Sequence, residues 1–262
     1  MSDLEQIKQA ASLLWQSRQD GSLTGEAPKP ETMQAGYATQ QEAIRLSGEK
    51  FVGYKIGATS AEIQTMLGLN EAFYGPVFES RSHGNKAEIK VHEAHGPKVE
   101  PEFVICLSKD LKPESGQTLT NADVEECIDW VAPAFEFIGT RWADFGDYRG
   151  FCVVADFGSN LALSVGEPYR DWRKLDLSNS PVTLSINGET AASGHSGLSI
   201  AGNPISIVSW LANHEGIRQH GLKKGEIISC GTCTEVKPIK AGDHLSADYG
   251  VLGILQATIV AA

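Results

Sequence analysis

The sequence predicts an α+β protein, with two amphipathic helices at the N-terminus followed by a mixed β-roll or sandwich body. Three observations carry this. Apolar residues recur at three- and four-residue spacing through the first 48 residues. From about residue 74 on, short apolar runs succeed one another through turn signals with only one late helix, which is not the alternating order of a βαβ fold. The 27 glycines supply the many turns that such a body needs. A chain of 262 residues, 41% hydrophobic and 21% charged, is ordinary for a soluble globular protein and can bury a substantial core.

Taken in order, Leu4, Ile7, Ala10, Ala11, Leu14 and Trp15 define a helix over 3–18, ended by Gly21. Pro30 opens a second helix over 31–48. Phe51 to Gly57 is a short strand, and Ser60 caps a helix over 61–67. Tyr74 to Glu79 is extended, with Pro76 confining it to an edge or a strand start. Residues 80–98 form a polar connection. A strand over 99–107 follows, then a helix capped by Thr120 that runs to about Trp130, then a strand over 133–138. Residues 147–156 fit helix or irregular chain equally. Val182 to Ile186 followed by Asn187-Gly188 is a type I′ hairpin signal. Pro204 starts a helix bearing Ile205, Val208, Leu211 and Ala212, and strands over 226–230, 244–249 and 252–260 finish the chain.

Charge and cysteine usage narrow the function classes. A net charge of −11 disfavours nucleic acid and anionic membranes as partners. Five scattered cysteines argue against a disulfide framework and for a reducing, cytoplasmic setting. The acidic start Met1-Ser2-Asp3-Leu4-Glu5 is no signal peptide, and no 18-residue apolar run exists.

Several local patterns carry little. Cys230-Gly231-Thr232-Cys233 lacks the second pair that structural zinc requires and reads as packed thiols. His92 and His95 are not in the H-E-x-x-H order and read as loop residues. Gly194-His195-Ser196-Gly197 fails the nucleophile-elbow pattern because Leu198 follows. Neither a Walker A sequence nor G-x-G-x-x-G is present.

The acids carry more. Glu100 and Glu102 fall on the same face of one strand, where two carboxylates repel unless the face is solvated or a cation lies between them. Glu136 is one acid inside the apolar run Pro133 to Ile138. The three are candidates to converge on one hard divalent cation, Mg²⁺ or Mn²⁺. The alternative is an exposed edge strand and a salt-bridged Glu136. Lys55, inside the glycine-flanked strand Gly53 to Gly57, either reaches solvent at an edge or is buried with a partner. A buried lysine can shuttle protons, and Glu79 is a plausible partner for it.

Together, Gly53-Tyr54-Lys55-Ile56-Gly57-Ala58-Thr59-Ser60, Tyr74-Gly75-Pro76-Val77-Phe78-Glu79, Val99-Glu100-Pro101-Glu102, Pro133-Ala134-Phe135-Glu136, Ala155-Asp156-Phe157-Gly158-Ser159-Asn160, Gly202-Asn203-Pro204, Val208 to Asn213 and Lys240-Ala241-Gly242-Asp243 resemble the 2-keto-4-pentenoate hydratase / 4-oxalocrotonate decarboxylase family of the fumarylacetoacetase superfamily. The resemblance implies a small N-terminal α/β part over 1–70 and a fumarylacetoacetase-like β-roll body over 71–262 enclosing the site. It also implies Mg²⁺ or Mn²⁺ held by Glu100, Glu102 and Glu136. Lys55 matches the family's lysine, and Glu79 stands where Asp is usual; these two and Ser159 are the expected catalytic residues. Arg141 and Asn203 are expected on the substrate. Cys230-Gly231-Thr232 departs from a usual Ser-Gly-Ser.

The implied activity is hydration of a 2-hydroxy-2,4-dienoate in aromatic meta-cleavage catabolism, with decarboxylation of a 4-oxalocrotonate-type acid as the alternative at the same metal. Hydrolysis of an acylpyruvate lacks a His–Glu dyad. A non-catalytic partner subunit is opposed by the intact Glu100, Glu102, Glu136 and Lys55. A homo-oligomer, or association with a companion hydratase or decarboxylase, is the implied assembly.

Overall fold

The computed structural model describes residues 2–198 and 201–262. Its first helix, α1 (Asp3–Asp20), begins with a Ser2/Glu5 capping box and ends at Gly21 in the left-handed conformation. The second, α2 (Met33–Ser47), starts later than Pro30 suggests, because the Thr32 hydroxyl accepts from the Ala35 amide and makes residue 32 the cap. Strand β1 (Phe51–Gly57) follows, then α3 (Ala61–Leu67), capped by Ser60, and β2 (Phe73–Phe78).

The expected polar connection at 80–98 contains β3 (Ser82–His83) and β4 (Ala87–Val91). Ile89 and Val91 point inward between exposed Glu88 and Lys90, so β4 carries a two-residue alternation with only two buried positions to reveal it. Next come β5 (Lys98–Leu107), α4 (Asn121–Glu125), β6 (Ile128–Ile138), α5 (Arg149–Ala155) and β7 (Asn160–Val165). Helix α4 stops well short of Trp130, which lies in β6 opposite Cys106. The last part comprises β8 (Pro181–Ile186), β9 (Glu189–His195), α6 (Pro204–Asn213), α7 (Glu215–Arg218), β10 (Ile227–Thr232), β11 (Lys237–Pro238), β12 (His244–Asp248) and β13 (Ile254–Ala261). Asn187 and Gly188 both take positive φ, as the I′ turn between β8 and β9 requires.

Two sheets result. The larger runs β2-β1-β10-β5-β6-β7-β3, with β11 also on β5; the smaller runs β4-β13-β12-β8-β9. Strand β1 lies between antiparallel β2 and parallel β10, so the early segment bearing Lys55 belongs to the same sheet as β5 and β6. Alternation divides the faces of the large sheet. Val99, Phe103, Ile105, Phe135 and Phe137 join Leu184, Leu245, Leu255 and Ile259 in one core. Tyr249, in the connection between β12 and β13 of the smaller sheet, donates its hydroxyl to the Ala134 carbonyl at 2.5 Å. The intervening positions, including Glu100, Glu102 and Glu136, therefore face the other way. The turn after α5 lies on that side, with Phe157 packed against Phe78 and Trp15. No helix among the described residues is long and apolar enough to cross a membrane.

Candidate metal centre

Pairing of β5 with β6 sets Glu100 directly opposite Glu136, and Glu102 lies two residues along the same face. Each of the three carboxylates offers an oxygen within 4.8 Å of the others. Glu102 and Glu136 are buried and Glu100 is half-buried. Lys55 reaches them from β1, with Nζ 3.2 Å from Glu136 Oε2.

Neighbouring groups orient these side chains. The Ser229 hydroxyl and the Gly231 amide donate to Glu102 Oε2 at 2.5 and 3.0 Å. Gly231 is reached through a register shift in β10 and has φ +94°, and a Cβ there would stand 2.6 Å from Thr59 Oγ1. Asn160 Nδ2 donates to Glu136 Oε1 at 3.0 Å. Lys55 Nζ donates to the Gly158 carbonyl at 2.9 Å and lies 5.3 Å from the centre of the Phe73 ring.

The electrostatics fit a cation. Burial, and then repulsion from Glu136, push the Glu100 carboxyl up to about 7. Burial pushes Glu102 well above and Glu136 above the ordinary carboxyl range. Burial pulls the Lys55 pKa down, but Glu136, Glu100 and Glu102 outweigh it and the net direction is upward. Three carboxylates against one ammonium leave two negative charges, which a divalent cation balances. Among the described residues, Glu136 Oε2 has no hydrogen-bond donor other than the ion-paired lysine, and buried carboxylate oxygens are normally fully engaged. An all-oxygen set of this kind suits Mg²⁺ or Mn²⁺.

Other expected site residues lie elsewhere. Glu79 is exposed at the end of β2 and pairs with Lys50 at 2.6 Å, so the expected Glu79–Lys55 contact does not form; Glu136 takes its place. Arg141 is fully buried and committed: its backbone amide and Nε bond the Asp156 carboxylate at 2.8 and 2.5 Å, and Nη1 and Nη2 bond the Asn160 and Asp156 carbonyls at 3.1 and 2.8 Å. Asn203 caps α6, its side-chain oxygen accepting from the Ile205 amide at 2.8 Å. Ser159 sits between Gly158 and Asn160, next to both groups that touch the site, with φ +62°.

Asn160, Ser229 and the Gly158 carbonyl were not singled out by residue type. For Asn160 and Gly158 the one signal is a set of turn-formers, Asp156 to Asn160, held between apolar runs; Ser229 carries none. Cys230 and Cys233 are buried thiols whose pKa burial pushes well up, consistent with packing. His95 is buried with its Nε2 on the Ser22 carbonyl, and Ser196 accepts from the Ser180 amide, so neither forms a nucleophile or ligand arrangement.

The sheet order, the strand-borne acid cluster and the lysine beside it define a metal-dependent enzyme fold, and residues 52–260 match the fumarylacetoacetate (FAA) hydrolase C-terminal family; the chain belongs to that family. It is 34% identical over 261 residues to 2-keto-4-pentenoate hydratase of Paraburkholderia xenovorans (strain LB400), covering 96% of this chain and 94% of that one. It is 32% identical over 253 residues to 2-hydroxyhexa-2,4-dienoate hydratase of Comamonas testosteroni, covering 93% and 94%. Among solved structures it resembles 4-oxalocrotonate decarboxylase from Pseudomonas putida G7 complexed with magnesium and adipate, with a TM-score of 0.87, 26% identity and 99% of each chain covered.

Proposed function

We propose that this protein is a divalent-metal-dependent hydratase that adds water to a 2-hydroxy-2,4-dienoate in aromatic meta-cleavage catabolism. The observation that carries it is Lys55 Nζ held 3.2 Å from one member of the buried Glu100–Glu102–Glu136 cluster. These three residues hold Mg²⁺ or Mn²⁺. When bound, the cation supplies Lewis-acid stabilisation of charge developing on an oxygen of the 2-oxo acid. Asn160 orients Glu136, while Ser229 and Gly231 orient Glu102. The Gly158 carbonyl fixes Lys55. The ammonium of Lys55 delivers a proton to the dienoate carbon skeleton and recovers one from the adding water. Ser159, beside that lysine's acceptor, lines the substrate side.

The relatives named above support hydration, and the structural similarity to a 4-oxalocrotonate decarboxylase supports decarboxylation at the same ion as a second reading. A decarboxylase substrate brings a distal carboxylate that needs a cationic partner. Arg141, expected on the substrate, is already bonded to Asp156 and Asn160 and does not offer that partner. In this reading, residues 1–70 contribute Lys55 and residues 71–262 the ligands, and the enzyme acts in the cytoplasm as a homo-oligomer or with a companion decarboxylase. The test is incubation with Mg²⁺ and either 2-hydroxypentadienoate or 2-oxo-3-hexenedioate, following dienoate absorbance and CO₂. Absorbance loss with the first substrate and no CO₂ from the second is expected; turnover of neither overturns the proposal.

A further inference from the structure

Arg18 is a buried cation that the proposed chemistry does not use. It lies in the last turn of α1, four residues after Leu14 and seven after Ala11, and so continues the buried face of that helix. Only 4% of it is exposed. Its acceptors are carbonyls: Nη1 donates to Asn160 O at 2.5 Å and Nη2 to Leu161 O at 3.3 Å. Nε finds no acceptor among the described residues. The guanidinium lies 4.8 Å from the Phe157 ring centre and 5.7 Å from that of Phe78. Burial pushes its pKa well below the usual arginine range, with Arg141 and Arg81 adding repulsion. A desolvated cation held mostly by dipoles and ring faces is costly, and a leucine would fill an apolar helix face without that cost.

The two carbonyls identify what the cost accompanies. Phe157, Gly158 and Ser159 have φ of +54°, +64° and +62°, three successive residues in the left-handed region, two of them not glycine. Such a turn relaxes unless its surroundings hold it. Its product is the pair of contacts already described, Gly158 O on Lys55 and Asn160 Nδ2 on Glu136. Arg141 holds the turn from its own side, through Asp156 and Asn160 O. Arg18 holds it from the N-terminal helix, outside residues 52–260 that match the family. A planar fork can span two consecutive carbonyls, which a lysine ammonium does less well.

We infer that Arg18 is a positioning residue for the metal centre: by clamping the Asn160 and Leu161 carbonyls it keeps the left-handed turn closed, so that Asn160 orients Glu136 for the ion. This rests on the Glu100–Glu102–Glu136 cluster holding the ion, and the experiment separates the two.

Mg²⁺ affinity is measured by calorimetry for the full chain, for Glu102→Gln, for Arg18→Lys and Arg18→Met, and for Leu14→Ala, which loosens the same helix without touching the turn. Wild-type binding that Glu102→Gln loses establishes the ligand reading by itself; no binding by wild type overturns both. Arg18→Met is expected to bind Mg²⁺ 10–100-fold more weakly, the range for residues that orient metal ligands, and Arg18→Lys to fall between it and wild type. Leu14→Ala, compared at an equal loss in urea midpoint, is expected to keep near-wild-type affinity. In the metal-free protein, the Asn160 side-chain amide protons should exchange at least tenfold faster in Arg18→Lys, which folds with its charge retained. Wild-type affinity and exchange in Arg18→Lys, or an equal affinity loss in Leu14→Ala, overturns the inference.

Discussion

Replacing Glu102 by Gln separates the metal reading from ordinary core stability. In the metal-free protein the change removes one of three crowded carboxyls, one whose pKa burial and two neighbouring glutamates push well up. It keeps the shape of a side chain that is 1% exposed. It gives up one charge-assisted acceptor for Gly231 N–H and leaves the Ser229 hydroxyl free to reorient. The metal-free variant is therefore expected to melt within a few degrees of wild type. The metal-bound comparison differs sharply. An ion at a hundredfold excess over its Kd stabilises the folded state by about 2.7 kcal/mol. For a chain of this size, each kcal/mol raises Tm by roughly 2–4 °C, so wild type should gain roughly 5–11 °C on adding Mg²⁺. Glu102→Gln should gain none at the same concentration. Differential scanning fluorimetry with and without Mg²⁺, after chelation, reads both numbers. A variant that keeps the full Mg²⁺-induced shift would refute the assignment of Glu102 as a ligand.

Four further outcomes follow from the same geometry. Lys55→Met should lower kcat by about 10²–10⁴-fold, the usual contribution of a proton-transfer group. Its Mg²⁺ affinity should not weaken, because the ammonium 3.2 Å from Glu136 repels the ion; unchanged kcat in the dienoate assay removes Lys55 from the reaction. Mg²⁺ affinity should rise as pH increases from 6 to 8, because the Glu100 carboxyl, raised to about 7, binds a proton that competes with the metal. In the metal-free protein the sign is opposite: the raised carboxyls stabilise the fold below the unfolded carboxyl range, and that contribution is lost as pH rises through 7, so the urea midpoint should fall from pH 5 to pH 8. An increase there would contradict the burial of the cluster. Gly158→Ala adds a Cβ at φ +64°, 3.1 Å from Lys55 Cδ and from Phe73 Cε2. It should cost about 1–2 kcal/mol of stability from backbone strain and lower kcat by displacing the lysine; wild-type kcat would show that Lys55 tolerates the shift.

The acid cluster and its lysine are legible because their signals are local. Two acids at i and i+2 on a β-branched strand share a face, and an acid or lysine inside an apolar run has to be paired or bound to an ion. What stayed hidden is non-local. Asn160 looks like any polar residue at a strand end and Ser229 like any serine within a strand, and only the pairing of β1 with β10 and β10 with β5 brings Ser229 and Lys55 beside Glu102 and Glu136. Glu79 misled because its strand is adjacent to that of Lys55, yet it lies just past the strand end, where Lys50 and solvent take it. The missing strand β4 and the overlong α4 share one cause: Ala87 to Val91 and Ile128 to Trp130 carry too few inward residues for a period to show.

The direct opposition of Glu100 and Glu136 ties metal affinity to strand alignment. Side chains alternate faces with a period of two, so a one-residue slip of β6 against β5 would turn Glu136 into the aromatic core and bring Phe135 or Phe137 to the acids. The ion thus selects against a one-residue slip between the two longest strands among the described residues, 10 and 11 residues each. A sheet misaligned by one residue would forfeit the cation site and bury a carboxylate in apolar surroundings at once, so the acid cluster also acts as a check on correct folding of the strands that carry it.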